Sequence, residues 1–273
     1  MTKATPKMNK LKLQIIPTDT WEQYKTSFGP LVQQRFEQLH DSELSIETFS
    51  FYTSISAVFS SKIEGEDIEL DSYIKHKRWG AHFLPDYTRK IDDLYDAYLF
   101  AQQTDLTSHA FEKAHALLTR HILQASSHQG KFRTGNMFVA TNTGKIEYVA
   151  APPDLVPTEM QKLYADLEAL LAAPLTFKEV FFFASLLHLV CVKIHPFEDG
   201  NGRAARLLEK WFLAQKLGSK AWFVQSERYY YEQHQTYYQN IRRLGLEYGA
   251  LDYAEGLPFL GMLVNAVGMS EEG

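Results

Sequence analysis

The chain has a single cysteine among 273 residues, Cys191, so no disulfide can form within it and the sequence suits a reducing compartment. That cysteine sits inside an apolar run, where it reads as a small core residue rather than a catalytic thiol. Basic residues are not in excess: 28 Lys and Arg stand against 33 Asp and Glu, for a formal net charge of -5. A global field suited to nucleic-acid phosphates is therefore missing, and no local basic patch replaces it. Long apolar runs are missing too. The most apolar segment, "VFFFASLLHLVCV" from Val180 to Val192, falls short of the roughly 20 residues a membrane span needs and reads as a buried helix. The opening stretch has lysines but no uninterrupted apolar segment and no small-residue cleavage site. No secretory signal or membrane partner is expected, the first ten or so residues are expected to be frayed, and the expected location is cytoplasmic. There is no Pro-, Gly- or Ser-rich linker, no internal repeat and no low-complexity tract to divide the chain.

What is present is a balance of 45% hydrophobic and 22% charged residues, over a length able to bury a sizeable core. Ile91, Leu94, Tyr95, Tyr98 and Leu99 follow the spacing of one apolar helix face, and Met160, Leu163, Tyr164, Leu167, Leu170 and Leu171 repeat it. Comparable signals cover residues of about 46–62, 108–125, 177–194, 202–217 and 227–244, with Gly218 closing the fourth of these. One stretch differs. "NMFVATNTGKIEYVAAPP" alternates apolar and polar residues on either side of Asn142-Thr143-Gly144 and ends in two prolines, which predicts a β-hairpin. The expected architecture is one mainly α-helical domain with a short hairpin.

Within this pattern "KIHPFEDGNGRAAR", Lys193 to Arg206, interrupts two apolar helices. Pro196 cannot continue a helix, and Gly200 and Gly202 permit backbone angles that other residues resist, so His195 is expected at a helix end with a tight turn behind it. The next helix then starts near Asn201 or Gly202, and its unpaired N–H groups make an anion site. Arg203 and Arg206 each supply donors for phosphate oxygens. Asp199 is a handle for Mg²⁺, and His195 a base of suitable intrinsic pKa. Together these residues suggest phosphoryl or nucleotidyl transfer.

Rival readings fail on the residues. An EF-hand aligned on Asp199 and Asn201 puts Phe197 and Leu208 where carboxylates are required. A Walker A loop needs Gly-Lys-Ser/Thr, which does not occur. A plain capped helix-turn-helix accounts for a lone Gly-Asn-Gly, but not for the full set.

At these residues the sequence resembles the Fic family, whose motif is H-P-F-x-[DE]-G-N-G-R-x-x-R. It stands complete as His195, Pro196, Phe197, Asp199, Gly200, Asn201, Gly202, Arg203 and Arg206. Upstream, "SSKIEGED" is similar to the [ST]-x-x-x-E-[GN] motif of many Fic proteins through Ser60, Glu64 and Gly65. By composition alone that stretch is a helix terminus with Gly65 as cap and Glu64 solvated. The resemblance implies that Glu64 is inhibitory: it pairs with Arg206 and keeps the γ-phosphate from seating productively.

What the resemblance further implies is a protein adenylyltransferase, using ATP and Mg²⁺ to place AMP on a Ser, Thr or Tyr hydroxyl of a target protein. His195 is then the catalytic base, Asp199 the metal ligand, and Gly200, Asn201, Gly202, Arg203 and Arg206 the phosphate site. "HQTYYQNIRR" resembles a segment bordering the nucleotide base, which makes Tyr237 and Tyr238 nucleotide-binding candidates. The hairpin resembles the family's flap, with Ile146 to Ala150 as the edge that would pair with an extended target segment. Other histidines, His188 included, read as satisfied core or surface residues. The domain is expected over 45–265, after an N-terminal extension with the first helices at 1–44 and before a tail at 266–273, with no room for an appended winged-helix domain. Self-modification and a homodimer are among the partners the resemblance implies. Two alternatives stay open: a hydrolase that removes AMP at the same site, and a non-enzymatic ATP-binding interaction module.

Overall fold

The computed structural model describes residues 11–47, 49–83, 88–140 and 146–269. Twelve α-helices occur among them, with one two-stranded antiparallel sheet. In chain order the helices are α1 (Trp21–Ser27), α2 (Val32–Gln38), α3 (Phe51–Ile63), α4 (Leu70–Trp79), α5 (Arg89–Gln102) and α6 (Ser108–Leu118), then α7 (Val156–Ala172), α8 (Phe177–Ile194), α9 (Asn201–Leu217), α10 (Ser226–Glu232), α11 (His234–Arg242) and α12 (Leu257–Ala266). The strands β1 (Phe138–Ala140) and β2 (Ile146–Val149) lie between α6 and α7. No helix among the described residues is long and apolar enough to cross a membrane. The first ten residues and the turn at Asn142–Gly144 lie outside the described residues.

α8 is the central strut. It is apolar all round, and a helix of that kind lies inside a protein; from Glu179 to Ile194 every residue is buried. A capping box starts it: Glu179 N–H donates to Thr176 Oγ1 while Glu179 Oε2 accepts from Thr176 N–H at 2.7 Å. Cys191 sits in this interior, where burial pushes its thiol up to about 12, as suits a core residue. α9 packs along α8 and closes, as its sequence predicts, at Gly218 with φ 86°. The N-terminal helices cover the other end of α8, with Phe28 and Phe36 edge-on to Phe177 and Phe181. Asp166 of α7 ties the chain leading to α1, accepting from Gln14, Ile15 and Ile16 N–H.

Three sequence expectations need correction. The helical signal at 108–125 ends at Leu118 because Thr119, the C-cap, turns its hydroxyl back onto His115 O at 2.7 Å. The signal at 227–244 is two helices, parted where Gln233 takes φ -103° and ψ 32°. Apolar spacing continues across that break, so periodicity alone could not reveal it. The hairpin forms, with register Phe138↔Val149 and Val139↔Tyr148 and an irregularity between Val139 and Ala140. Its outer edge is not wholly open on β2, however: Val149 N–H donates to Leu246 O at 2.8 Å. The expected pairing edge, Ile146 to Ala150, thus has a resident backbone partner at Val149.

Candidate functional site

The site is built where α8 ends. His195 takes the left-handed conformation, φ 54°, the one residue other than glycine to do so among the described residues. Such a backbone is costly for a side chain with a Cβ and persists only where the surroundings hold it. Arg133 holds it here. Its Nε donates to His195 O at 2.6 Å and its N–H to Pro196 O at 2.9 Å, while the two terminal nitrogens reach Gly135 O and Ala151 O at the feet of the hairpin. One guanidinium thereby fixes both the motif turn and the hairpin.

The turn itself is clamped from two sides. Asn201 Nδ2 donates to Phe197 O at 2.9 Å, and its Oδ1 accepts from Phe197 N–H at 2.8 Å. The Asn201 side chain is thus committed to the loop, and its contribution to an anion site is its backbone N–H. His115 of α6 stacks on Phe197 at 3.6 Å, donates from Nε2 to Asp199 O and accepts at Nδ1 from Gly130 N–H. Burial pushes this imidazole down to about 4, consistent with one nitrogen that donates and one that accepts. Neither Arg133 nor His115 stood out in the sequence. Each acts through contacts to distant segments that no local spacing encodes.

Gly200 N–H is occupied by the Asp199 carboxylate, Oδ1 at 2.6 Å. The N–H groups of Asn201, Gly202 and Arg203, which open α9, have no acceptor among the described residues. Arg203 is buried and its Nε has no hydrogen-bond partner. Open amides and an orphaned guanidinium donor at one helix N-terminus fit an anionic ligand. Among the described residues no group of three or more metal-ligating side chains exists. Asp199, exposed, suits only an ion that takes most of its ligands from phosphate and water.

His195 is half-buried, with Nδ1 3.2 Å from the Tyr148 hydroxyl of β2. Tyr148 donates to Val192 O, which leaves its oxygen to accept from His195 Nδ1–H and so puts the free lone pair on Nε2. Burial pushes His195 down to about 4, and the Arg133 cation adds to the fall.

Glu64 reaches the same place from α3. That helix ends in a Schellman motif, with Gly65 N–H donating to Lys62 O, Glu66 N–H to Ser61 O, and Gly65 at φ 92°. The cap projects the Glu64 carboxylate onto Arg206, Oε1 to NH2 at 2.6 Å. Burial would raise this carboxyl, but Arg206 and then Arg203 outweigh it and hold it below the usual carboxylate range. Ser60 completes the seat: Arg206 Nε donates to its Oγ at 2.8 Å and NH2 to its carbonyl at 3.0 Å. A Cβ added at Gly202 would run into Glu64 Oε1, so the carboxylate lies directly over the start of α9.

Arg206 NH1 also donates to the Tyr237 hydroxyl at 3.3 Å, which lies 2.9 Å from His188 Nε2; His188 Nδ1 lies 2.8 Å from Glu209 Oε2. His188 is a satisfied core histidine, as its sequence position predicts. Tyr237, only 1% exposed, backs Arg206 from inside. Tyr238 does face open space: it lines a cleft of about 1000 Å³ shared with Lys62, Glu64, Ala140, Tyr231 and His234. The cleft reaches the motif turn through Glu64.

Residues 105–213 match the model of the Fic/DOC family. No curated protein matches the chain. Among solved structures, a Fic family protein from Desulfovibrio desulfuricans is 21% identical, with a TM-score of 0.68 over 90% of this chain and 70% of that one. A Fic-domain-containing signaling protein from Bacteroides thetaiotaomicron gives 20% identity and a TM-score of 0.62, over 91% of this chain and 92% of that one. Fic-1 from C. elegans gives 16% and 0.65, over 90% and 69%. At these identities the likeness is one of fold. The match to the Fic/DOC family is thus confined to residues 105–213, and the mainly helical fold of the chain matches that of the Fic structures.

Proposed function

We propose that the chain is a protein adenylyltransferase that moves AMP from ATP to a Ser, Thr or Tyr hydroxyl of a target protein, and that Glu64 holds it in check. The single observation that carries this is the 2.6 Å Glu64–Arg206 pair seated over the open amides of α9. Proton transfer to a positioned imidazole starts the chemistry. His195 Nε2 takes the proton of the incoming hydroxyl as its oxygen attacks the α-phosphorus; the bond to the pyrophosphate oxygen breaks and pyrophosphate leaves. With its pKa near 4, His195 holds its lone pair ready across neutral pH.

The amides of Asn201, Gly202 and Arg203, with the two arginine side chains, are preorganised donors for the triphosphate and for charge on the leaving pyrophosphate. Mg²⁺, when bound through Asp199 and substrate phosphates, supplies further charge neutralisation there. In the state with Glu64 on Arg206, one donor is withdrawn from the phosphates and a negative charge stands where the nucleotide brings its own.

Replacing Glu64 with Gly therefore raises incorporation of label from ATP carrying α-phosphorus-32 by about tenfold or more, the equivalent of about 1.4 kcal/mol. Adding His195→Ala abolishes the label. A Glu64→Gly protein that transfers nothing with Mg²⁺ or Mn²⁺ sinks the proposal. The reverse reaction has one observation in its favour: an ionised Glu64 lying over the start of α9 is placed to orient water against an AMP-modified hydroxyl. Release of AMP from a modified target by the unsubstituted protein, lost in Glu64→Gly, would favour that hydrolase.

A further inference from the structure

The cap of α3 carries two acids, one on each side of the left-handed Gly65, and each faces one arginine of α9. Glu64 takes Arg206 at 2.6 Å. Glu66 is 4.0 Å from Arg203 NH2, the outer limit of an ion pair, because its Oε1 is drawn instead to Lys90 Nζ of α5 at 2.7 Å. Arg203 is meanwhile short of acceptors, since its Nε is buried with no partner. Its side chain is 6% exposed, against 20% for Glu66 and 43% for Lys90. The three charges thus run from the interior to the surface, with the acid in the middle.

We propose that Glu66 is a second acid acting on the phosphate site, and that Lys90 sets how firmly Glu66 withholds Arg203 from an anionic substrate. This rests on reading the site as one that takes a triphosphate. A carboxylate oxygen shared with Lys90 attracts Arg203 less than one facing Arg203 alone, because attraction between the charges grows as distance shrinks. With Lys90 in place Glu66 stands off, and Arg203 keeps free donors for phosphate. With Lys90 neutral, Glu66 closes on Arg203 and competes with the substrate directly. The Schellman cap limits the options of Glu66, since its backbone N–H is bound to Ser61 O at 3.1 Å and only its side chain can swing. Both arginines are then governed from one helix end, Arg206 by direct pairing and Arg203 by an acid whose grip a surface lysine tunes.

A double-mutant cycle in the Glu64→Gly background tests this, with binding of ATP and of inorganic tripolyphosphate measured by calorimetry. Glu66→Gln should tighten both probes about three- to fivefold, the range of a partly exposed ion pair. Lys90→Met should weaken both by a similar factor while Glu66 is present, and change nothing once Glu66 is Gln. Equal weakening by Lys90→Met in both backgrounds would mean that Lys90 meets phosphate itself, and would overturn the proposal. So would a Glu66→Gln protein that binds no tighter. If the Glu64→Gly protein binds neither probe, the triphosphate reading fails and takes this inference with it; if it binds both and the cycle is flat, only this inference fails. Thermal melts of the four proteins confirm that they are folded, as expected for substitutions outside the apolar core.

Discussion

A methyl group added at Gly200 would lie 2.8 Å from Thr119 Cγ2 and 3.0 Å from Leu118 Cδ1, on a backbone with φ 78°. The left-handed conformation costs a residue with a Cβ roughly 1–2 kcal/mol, and overpacking adds a similar amount. Gly200→Ala should therefore lower stability by about 2–4 kcal/mol in urea denaturation. Gly65, at φ 92° with nothing within 4 Å of an added Cβ, should lose only the backbone share, about 1 kcal/mol, when changed to Ala. Both glycines were legible in the sequence as turn residues, and the difference between them was not, because it depends on what α6 brings alongside. The same holds across the site. Spacing alone marked His195, Asp199, Arg203 and Arg206 as a unit, since they share one turn and one helix start. Arg133 and Tyr148 contact His195 from far along the chain, and no periodicity records a single hydrogen bond of that kind.

α3 is more than a carrier for Glu64. Ser56 Oγ accepts from Lys210 Nζ at 2.7 Å and donates to Glu227, which pairs with Lys210 and accepts from the Tyr98 hydroxyl at 2.6 Å. These groups are buried, so α3 is joined to α5, α9 and α10 through an ion pair shielded from water. Removing one member of such a pair strands the other charge. Glu227→Ala should cost about 3–5 kcal/mol in urea denaturation, and a double change of Lys210 and Glu227 to Met should cost clearly less. The sequence showed α3 through its apolar spacing and its glycine stop. Its row of buried serines, Ser54, Ser56, Ser60 and Ser61, reads by composition as a polar face and was legible only once their partners were known. Element type was thus easier to read than element environment, and the division at Gln233 and the occupied Val149 N–H belong to the same class of fact.

For the molecule as a whole, the two histidines at the turn set a dependence on acid. His115 and His195 are both held near pKa 4 by burial, against an ordinary 6.5 in the unfolded chain. Between those values the unfolded chain binds more protons than the folded one, so stability falls as pH drops from 6.5 towards 4. For His115, fully buried, the loss is about 3 kcal/mol over that span. Glu64, held below its usual range, contributes stability that is present above the ordinary carboxylate pKa and lost as pH falls through its lowered one. Urea midpoints measured at pH 7 and pH 4.5 should therefore differ, and by less in a His115→Gln protein, whose amide cannot take up the proton. On the proposed reading, a further consequence follows from the anchoring of α3 within the interior. Restraint and enzyme exist in fixed one-to-one ratio in every molecule, so dilution cannot separate them, and specific activity should stay the same whether the protein is scarce or abundant.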